Sequence, residues 1–222
     1  MLPGPPPPDE VPDDLRVRRL AEYQVHDRAA LHDLLDEALV AHLGVVRDGR
    51  PLVIPFACAR DGETLILHGS TGAGALRIAA GVPVCVTVTH LDGLVVARSL
   101  FESSMHYRCA VVLGEAEVLT GEDRLHALTV LSDHLLPGRT AEVRDHTAKE
   151  VAATLVLRVP LDRASVKVSA GPAEDPDDGE SRQVWAGILP LALAAGPPVP
   201  SPDVPEDVPV PPSVLAAALS RP

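Results

Sequence analysis

Two stretches of this chain combine side chains able to hold a cofactor or move a proton. The first is Leu65-Ile-Leu-His-Gly-Ser-Thr-Gly-Ala-Gly-Ala-Leu-Arg77, an apolar run entering a glycine-rich turn and then a short helical pattern. His68 closes the run, where an imidazole can serve as metal ligand or proton carrier. Ser70 and Thr71 supply hydroxyls, the turn supplies backbone N–H groups and Arg77 supplies a cation, a set suited to a phosphate. The second stretch is Arg98-Ser-Leu-Phe-Glu-Ser-Ser-Met-His-Tyr-Arg-Cys-Ala-Val-Val-Leu-Gly114, a loop feeding an apolar strand. Glu102 offers a carboxylate that can act as a base or bind a substrate amine. His106 offers a second acid/base imidazole, and Arg108 and Lys167 offer cations for a substrate carboxylate. Cys109 follows Arg108, but strand alternation sends the two side chains to opposite faces, which denies the thiol a positive neighbour from that residue.

Other chemistries are missing their patterns. The chain has no Gly-x-Ser-x-Gly elbow, no Walker loop and no His-Glu-x-x-His. Cys58, Cys85 and Cys109 show no CxxC spacing, which argues against a zinc site, and Cys58 and Cys85 read as small core residues. His90 reads as structural and His42 as a half-buried strand residue, while His26, His32, His126, His134 and His146 fall outside both stretches.

These groups must be positioned by a core poor in aromatic residues: two Phe, two Tyr and one Trp leave Val, Leu, Ala and Ile to build it. Asp27–Leu39 reads as a helix with Asp27 as its N-cap and Leu31, Leu34, Leu35 and Leu39 on one face. Strands follow at 40–47 and 52–60 around Asp48-Gly49-Arg50, and at 64–68 after Asp61-Gly62-Glu63. A short helix is expected at 72–80, strands at 82–90 and 94–99 around Asp92-Gly93, and a long central strand at 107–119. A helix at 123–136 ends at Pro137-Gly138, and strands at 154–160 and 165–169 complete the pattern. Many short antiparallel strands joined by Asp-Gly turns predict a small barrel with inserted helices. Prolines cluster at both ends, so residues 1–12 read as a Pro-rich arm, 13–190 as the barrel domain and 191–222 as a Pro-rich tail.

The net charge of −12 over 222 residues argues against a nucleic-acid partner, which calls for a basic patch. No apolar run reaches the ~18 residues of a membrane helix. The first ten residues lack the basic and apolar regions of a signal peptide, so the expected location is the cytoplasm.

Taken as a set, several motifs resemble the pyridoxamine 5'-phosphate oxidase-like, FMN-binding split barrels, and within them the nitroimidazole-resistance-like branch. They are Gly49-x-Pro51-x-x-x-Pro55, His68-Gly-Ser-Thr-Gly72, Pro83-Val-Cys-Val-Thr-Val-Thr89 with Leu91-Asp-Gly93, Tyr107-Arg108 with Gly114, Val166-Lys167 and Trp185-Ala-Gly-x-Leu-Pro190. The resemblance covers about 25–190. It implies a mainly β split barrel with peripheral helices, assembled as a homodimer with two cofactor sites at the subunit interface. Val53, Ile54 and Pro55 on one strand and the turn 68–77 would face that site. Cys109 and Lys167 are counted with the cofactor-binding set.

The resemblance breaks where flavin phosphate is usually gripped. A Ser-Arg pair typical of flavin-binding members is replaced by Ala73 and Gly74. Glu102, Ser103 and His106 replace paired histidines and an Asn, Cys109 replaces a polar residue, and Ser169 replaces an Arg. Loss of a charge-assisted phosphate contact costs about 1.5–3 kcal/mol. The resemblance therefore implies a redox enzyme acting on a small-molecule substrate, with heme b on His68 preferred over FMN. In the FMN alternative, Ser70, Thr71 and Arg77 hold the phosphate. A cofactor-free binding or regulatory dimer is the third reading. In either enzyme reading His106, Glu102 and Arg108 form the expected catalytic set.

Overall fold

The computed structural model describes residues 11–174 and 183–220. The expected arm at 1–10 and the centre of the acidic stretch, 175–182, lie outside the described residues.

Among the described residues, ten strands form one antiparallel sheet that curls around an apolar interior. A two-residue β1 (Gln24–Val25) leads to α1 (Arg28–Glu37), whose N-cap Asp27 accepts from the Ala29 N–H at 2.9 Å. Then come β2 (Val40–Arg47), β3 (Arg50–Asp61) and β4 (Thr64–Ser70). The β2–β3 turn places Asp48 and Gly49 at φ 51° and 73°, which explains the Asp-Gly pair. A six-residue α2 (Gly74–Ala79) precedes the long hairpin of β5 (Pro83–Val96) and β6 (Ser104–Glu115). The rest is β7 (Glu117–Val118), α3 (Gly121–Leu135), α4 (Ala148–Ala152), β8 (Thr154–Pro160), β9 (Ala164–Ser169), β10 (Gly187–Pro190) and α5 (Pro212–Ser220). The sheet order is β1-β9-β6-β5-β2-β3-β4-β8-β7, with β10 added to the end of β5.

Period-2 alternation sets the two faces. Leu43, Val86, Val112 and Val166 point into the barrel, with Leu31, Leu34 and Leu35 of α1 closing one side. A second cluster lies outside, where Ala127, Leu128 and Leu131 of α3 cover Ala59, Ile66 and Val156.

The structure changes some element boundaries. The two strands expected around Asp92-Gly93 are one strand, β5, bent by a bulge between Leu91 and Gly93. Asp92-Gly93 marks that bulge and not a turn, because the extra residue is absorbed inside the ladder. The Gly at 93 is required there: a Cβ would lie 3.0 Å from the Leu189 carbonyl oxygen of β10. The apolar patch around Trp185 contributes β10, and the Pro-rich tail ends in α5. A capping box between Thr147 and Glu150 starts α4, which the sequence reading did not anticipate.

Candidate functional site

The outward face of β2, β3, β5, β6 and β9 is left open by the helices. Register pairs place His42 beside Pro55 and Thr87, Gly44 beside Val53 and Cys85, Thr89 beside Cys109, and Cys109 beside Lys167. All of these side chains share one face, because partners across a ladder point the same way. The face exposes large apolar groups, with Val46 67%, Val53 61% and Val40 47% accessible. Ile54 alternates to the other side of β3, where its register partner Leu43 is fully buried in the barrel.

His68 stands at the border of this face. The β3–β4 ladder ends at Cys58 and Leu67, and one further step sets His68 beside Ala57, which shares its side of β3 with Val53 and Pro55. On its other flank His68 pairs with Val156, beneath α3. The ring is half-buried, and its Nδ1 is buried without a hydrogen-bond partner. Burial lowers its pKa, so the imidazole is neutral at pH 7 with a lone pair available. With Nδ1 enclosed, Nε2 is the nitrogen left to the surface, and a half-buried neutral imidazole can offer that lone pair to a metal.

The turn beyond His68 is built tightly. A Cβ at Gly69 would lie 2.8 Å from Leu76 Cδ1, so only glycine lets β4 pass over α2. The Ser70 hydroxyl accepts from the Gly72 N–H at 3.1 Å, and the Thr71 N–H donates to the Ala153 carbonyl. Those groups therefore already hold the turn. Arg77 is exposed on α2.

Lys167 lies at the opposite end of the face. Its ammonium is 5.9 Å from the Tyr23 ring centroid and 5.8 Å from that of Tyr107, a cation–π pair that uses both tyrosines of the chain. Burial raises the Cys109 pKa, opposed in part by Lys167. Cys109 is thus a protonated thiol, which disfavours it as an iron ligand.

The three residues expected to act in catalysis sit at the end of the β5–β6 hairpin. Arg108 alternates to the side opposite Cys109. It donates to Asp92 through Nε and Nη2 at 3.0 and 3.1 Å, and Nη1 lies 2.8 Å from Glu37. That network fixes the β5 bulge to α1 with three of the five guanidinium N–H groups. His106 pairs with Gly93 and shares the Arg108 side of β6. Glu102 lies in the hairpin loop, where its N–H donates to the Ser99 hydroxyl at 3.1 Å. The structure therefore gathers Val53, Pro55, His68, Cys109 and Lys167 on one face and sets Glu102, His106 and Arg108 apart from them. His90 is structural, with Nε2 3.2 Å from the Leu34 carbonyl.

His42 is the residue that sequence reasoning passed over. It is exposed, not half-buried, in the middle of the open face. The alternation Val40-Ala-His-Leu-Gly-Val carried the signal, since buried Ala41, Leu43 and Val45 leave His42 on the outside.

The family model of pyridoxamine 5'-phosphate oxidase matches residues 27–168. The chain belongs to that family. No curated protein sequence matches it. Among solved structures, the FAD and heme binding protein from Mycobacterium smegmatis is 45% identical, with a TM-score of 0.84 over 87% of this chain and 96% of that one. The flavocytochrome Anf3 from Azotobacter vinelandii is 32% identical, with a TM-score of 0.86 over 92% and 96%. A candidate 5-nitroimidazole antibiotic resistance protein from Bacteroides thetaiotaomicron shares the fold, at 23% identity and a TM-score of 0.55. This member of the split-barrel family thus resembles one protein described as binding FAD and heme and one described as a flavocytochrome.

Proposed function

We propose that the chain is a two-cofactor redox protein, binding heme through His68 and a flavin on the open face of the sheet. The observation that carries this reading is a half-buried neutral histidine at the edge of that face, with Nδ1 enclosed and Nε2 left as the nitrogen a metal can reach. It is supported by likeness to two proteins described as binding FAD and heme and as a flavocytochrome, each spanned over 96% of its length. In this reading heme and flavin are companions and not alternatives, and the flavin proposed is FAD, by likeness to the protein described as binding FAD and heme.

When bound, the flavin accepts electron pairs and the heme iron passes single electrons, so together they couple a two-electron donor to one-electron chemistry. The chain supplies the rest. Val53 and Pro55 give a flat apolar floor for a planar ring. Arg77 and Lys167, at opposite ends, supply positive charge for a phosphate-bearing group in a chain whose net charge is −12. His68 presents an unprotonated nitrogen. Arg108 holds the hairpin end against α1 and so positions Glu102 and His106 at the margin, where a small-molecule substrate would enter. The exposed valines of the face are proposed to be covered by a second copy, making the working unit a homodimer.

The test is reconstitution of the purified chain with FAD and hemin together, followed by extraction and quantitation. One flavin and one heme per chain are expected. Uptake of one cofactor that excludes the other would contradict the proposal.

A further inference from the structure

His42 occupies a position that folding does not require. It sits on β2, between Pro55 of β3 and Thr87 of β5, and its side chain is exposed on a strand whose alternate residues are buried. Its neighbours along β2 on this face are Val40 and Gly44. Diagonal neighbours are Val53, Ala57, Cys85 and Thr89, none of which carries charge at pH 7. Burial raises the Cys85 pKa, so that thiol stays protonated. The remaining titratable groups turned to this side of β3, β5, β6 and β9 are Asp61 at the far end of β3, His68, one strand beyond β3, Tyr107, Cys109, Lys167 and the edge residue Glu115. An imidazole in the centre of an apolar sheet face gains nothing from the fold. Once a ring or a second copy covers the face, it loses its water and needs a hydrogen-bond partner.

Gly44 lets β2 lie close against β5 beside it: a Cβ there would lie 3.2 Å from the Cys85 carbonyl. A cavity opens on this face where Gly44, Val53, Cys85 and Leu113 form an apolar lining, with Glu115, Asp162 and Arg163 also lining it and His42 two residues from Gly44 along β2. A flat heteroaromatic ring with acceptors and donors along one edge matches that combination: apolar floor, polar edge contact.

Resting on the proposal that a flavin occupies this face, we infer that His42 is a flavin-binding residue that hydrogen-bonds the polar edge of the isoalloxazine ring. It fixes how the ring lies across β2 and β3 and is distinct from His68, the iron ligand.

The test uses the full chain with 13C-labelled histidine, the His42 signal being assigned by its loss in His42→Gln. FAD and hemin are added separately at constant protein concentration. FAD should move the His42 signal, His42→Leu should weaken FAD binding about fivefold to tenfold, the loss of one hydrogen bond, and His42→Gln should restore most of it. Neither variant should alter the hemin Soret band. FAD uptake that leaves the His42 signal unmoved, or unchanged affinity in His42→Leu, would overturn the inference. A Soret band lost in His42→Leu would make His42 an iron ligand and overturn it too. A His42 signal that moves on dilution of the unliganded chain, measured separately, and not on addition of FAD would assign His42 to contact between copies, against the inference. No flavin uptake by the unaltered chain would overturn the flavin reading itself, and this inference with it.

Discussion

At the scale of single residues, the site depends on contrasts between neighbours on one strand. Leu67 is fully buried in the barrel, His68 faces the other way with an unpaid nitrogen, and Gly69 is stripped of a side chain so that Leu76 can pack. Gly69→Ala would force a methyl group to 2.8 Å from Leu76 Cδ1, a buried atom with little freedom to give. A loss of about 1–3 kcal/mol in stability is expected from that overpacking, read as a lower midpoint in urea unfolding with an unchanged slope. An unchanged midpoint would mean that α2 moves freely against β4. Arg108 makes the converse point. Its type and motif suggest a substrate contact, and the structure gives it an architectural task as well, since Nε, Nη1 and Nη2 each meet Asp92 or Glu37.

At the scale of elements, the C-terminal segment is held at separate places. β10 extends the sheet beside β5, and the Leu191 N–H donates to the Asp92 carbonyl at the bulge. Some twenty residues later Ser213, buried at the start of α5, meets Glu142: its N–H and hydroxyl donate to the two carboxylate oxygens at 2.9 and 2.5 Å. The Ser213 hydroxyl first, then its N–H and Arg139, hold the Glu142 carboxyl below the ordinary carboxylate range. A carboxylate pKa depressed by docking means that docking is favoured above the free-chain pKa, about 4.3, and weakens as pH falls through the lower docked value. The expected outcome is that the Ser213 amide proton loses its downfield shift on acidification, and that Glu142→Gln reproduces the loss at pH 7. A Ser213 amide unaffected by either change would show that α5 is held by its apolar contacts alone.

At the scale of the whole molecule, the fold was legible because its signals are local and repeated. Asp27 before the Leu31, Leu34, Leu35 stripe marked α1, and the Asp-Gly pairs marked the turns after β2 and β3. Asp92-Gly93 misled for a physical reason: a bulge and a hairpin turn need the same permissive residues, and only the long-range partner β10 distinguishes them. β10 itself, four residues with no alternation to read, exists because β5 has an unpaired edge there. The site was legible in part. Histidine at a strand end announced His68, and Val166-Lys167 announced the cation. Which side each residue takes depends on register across five strands, so the separation of Arg108 and His106 from the face, and the central place of His42, needed the three-dimensional ladder. The broad apolar face is likewise a property of the assembled sheet, since no single strand displays it.

The central claim is that one chain carries both cofactors and that His68 alone holds the iron. The most direct test is the absorbance spectrum of the FAD- and hemin-reconstituted chain beside that of His68→Ala. The account predicts a flavin band and a Soret band in the unaltered chain, with only the flavin band surviving desalting in the variant. A Soret band of undiminished strength in His68→Ala, or loss of both bands from a folded variant, would contradict it.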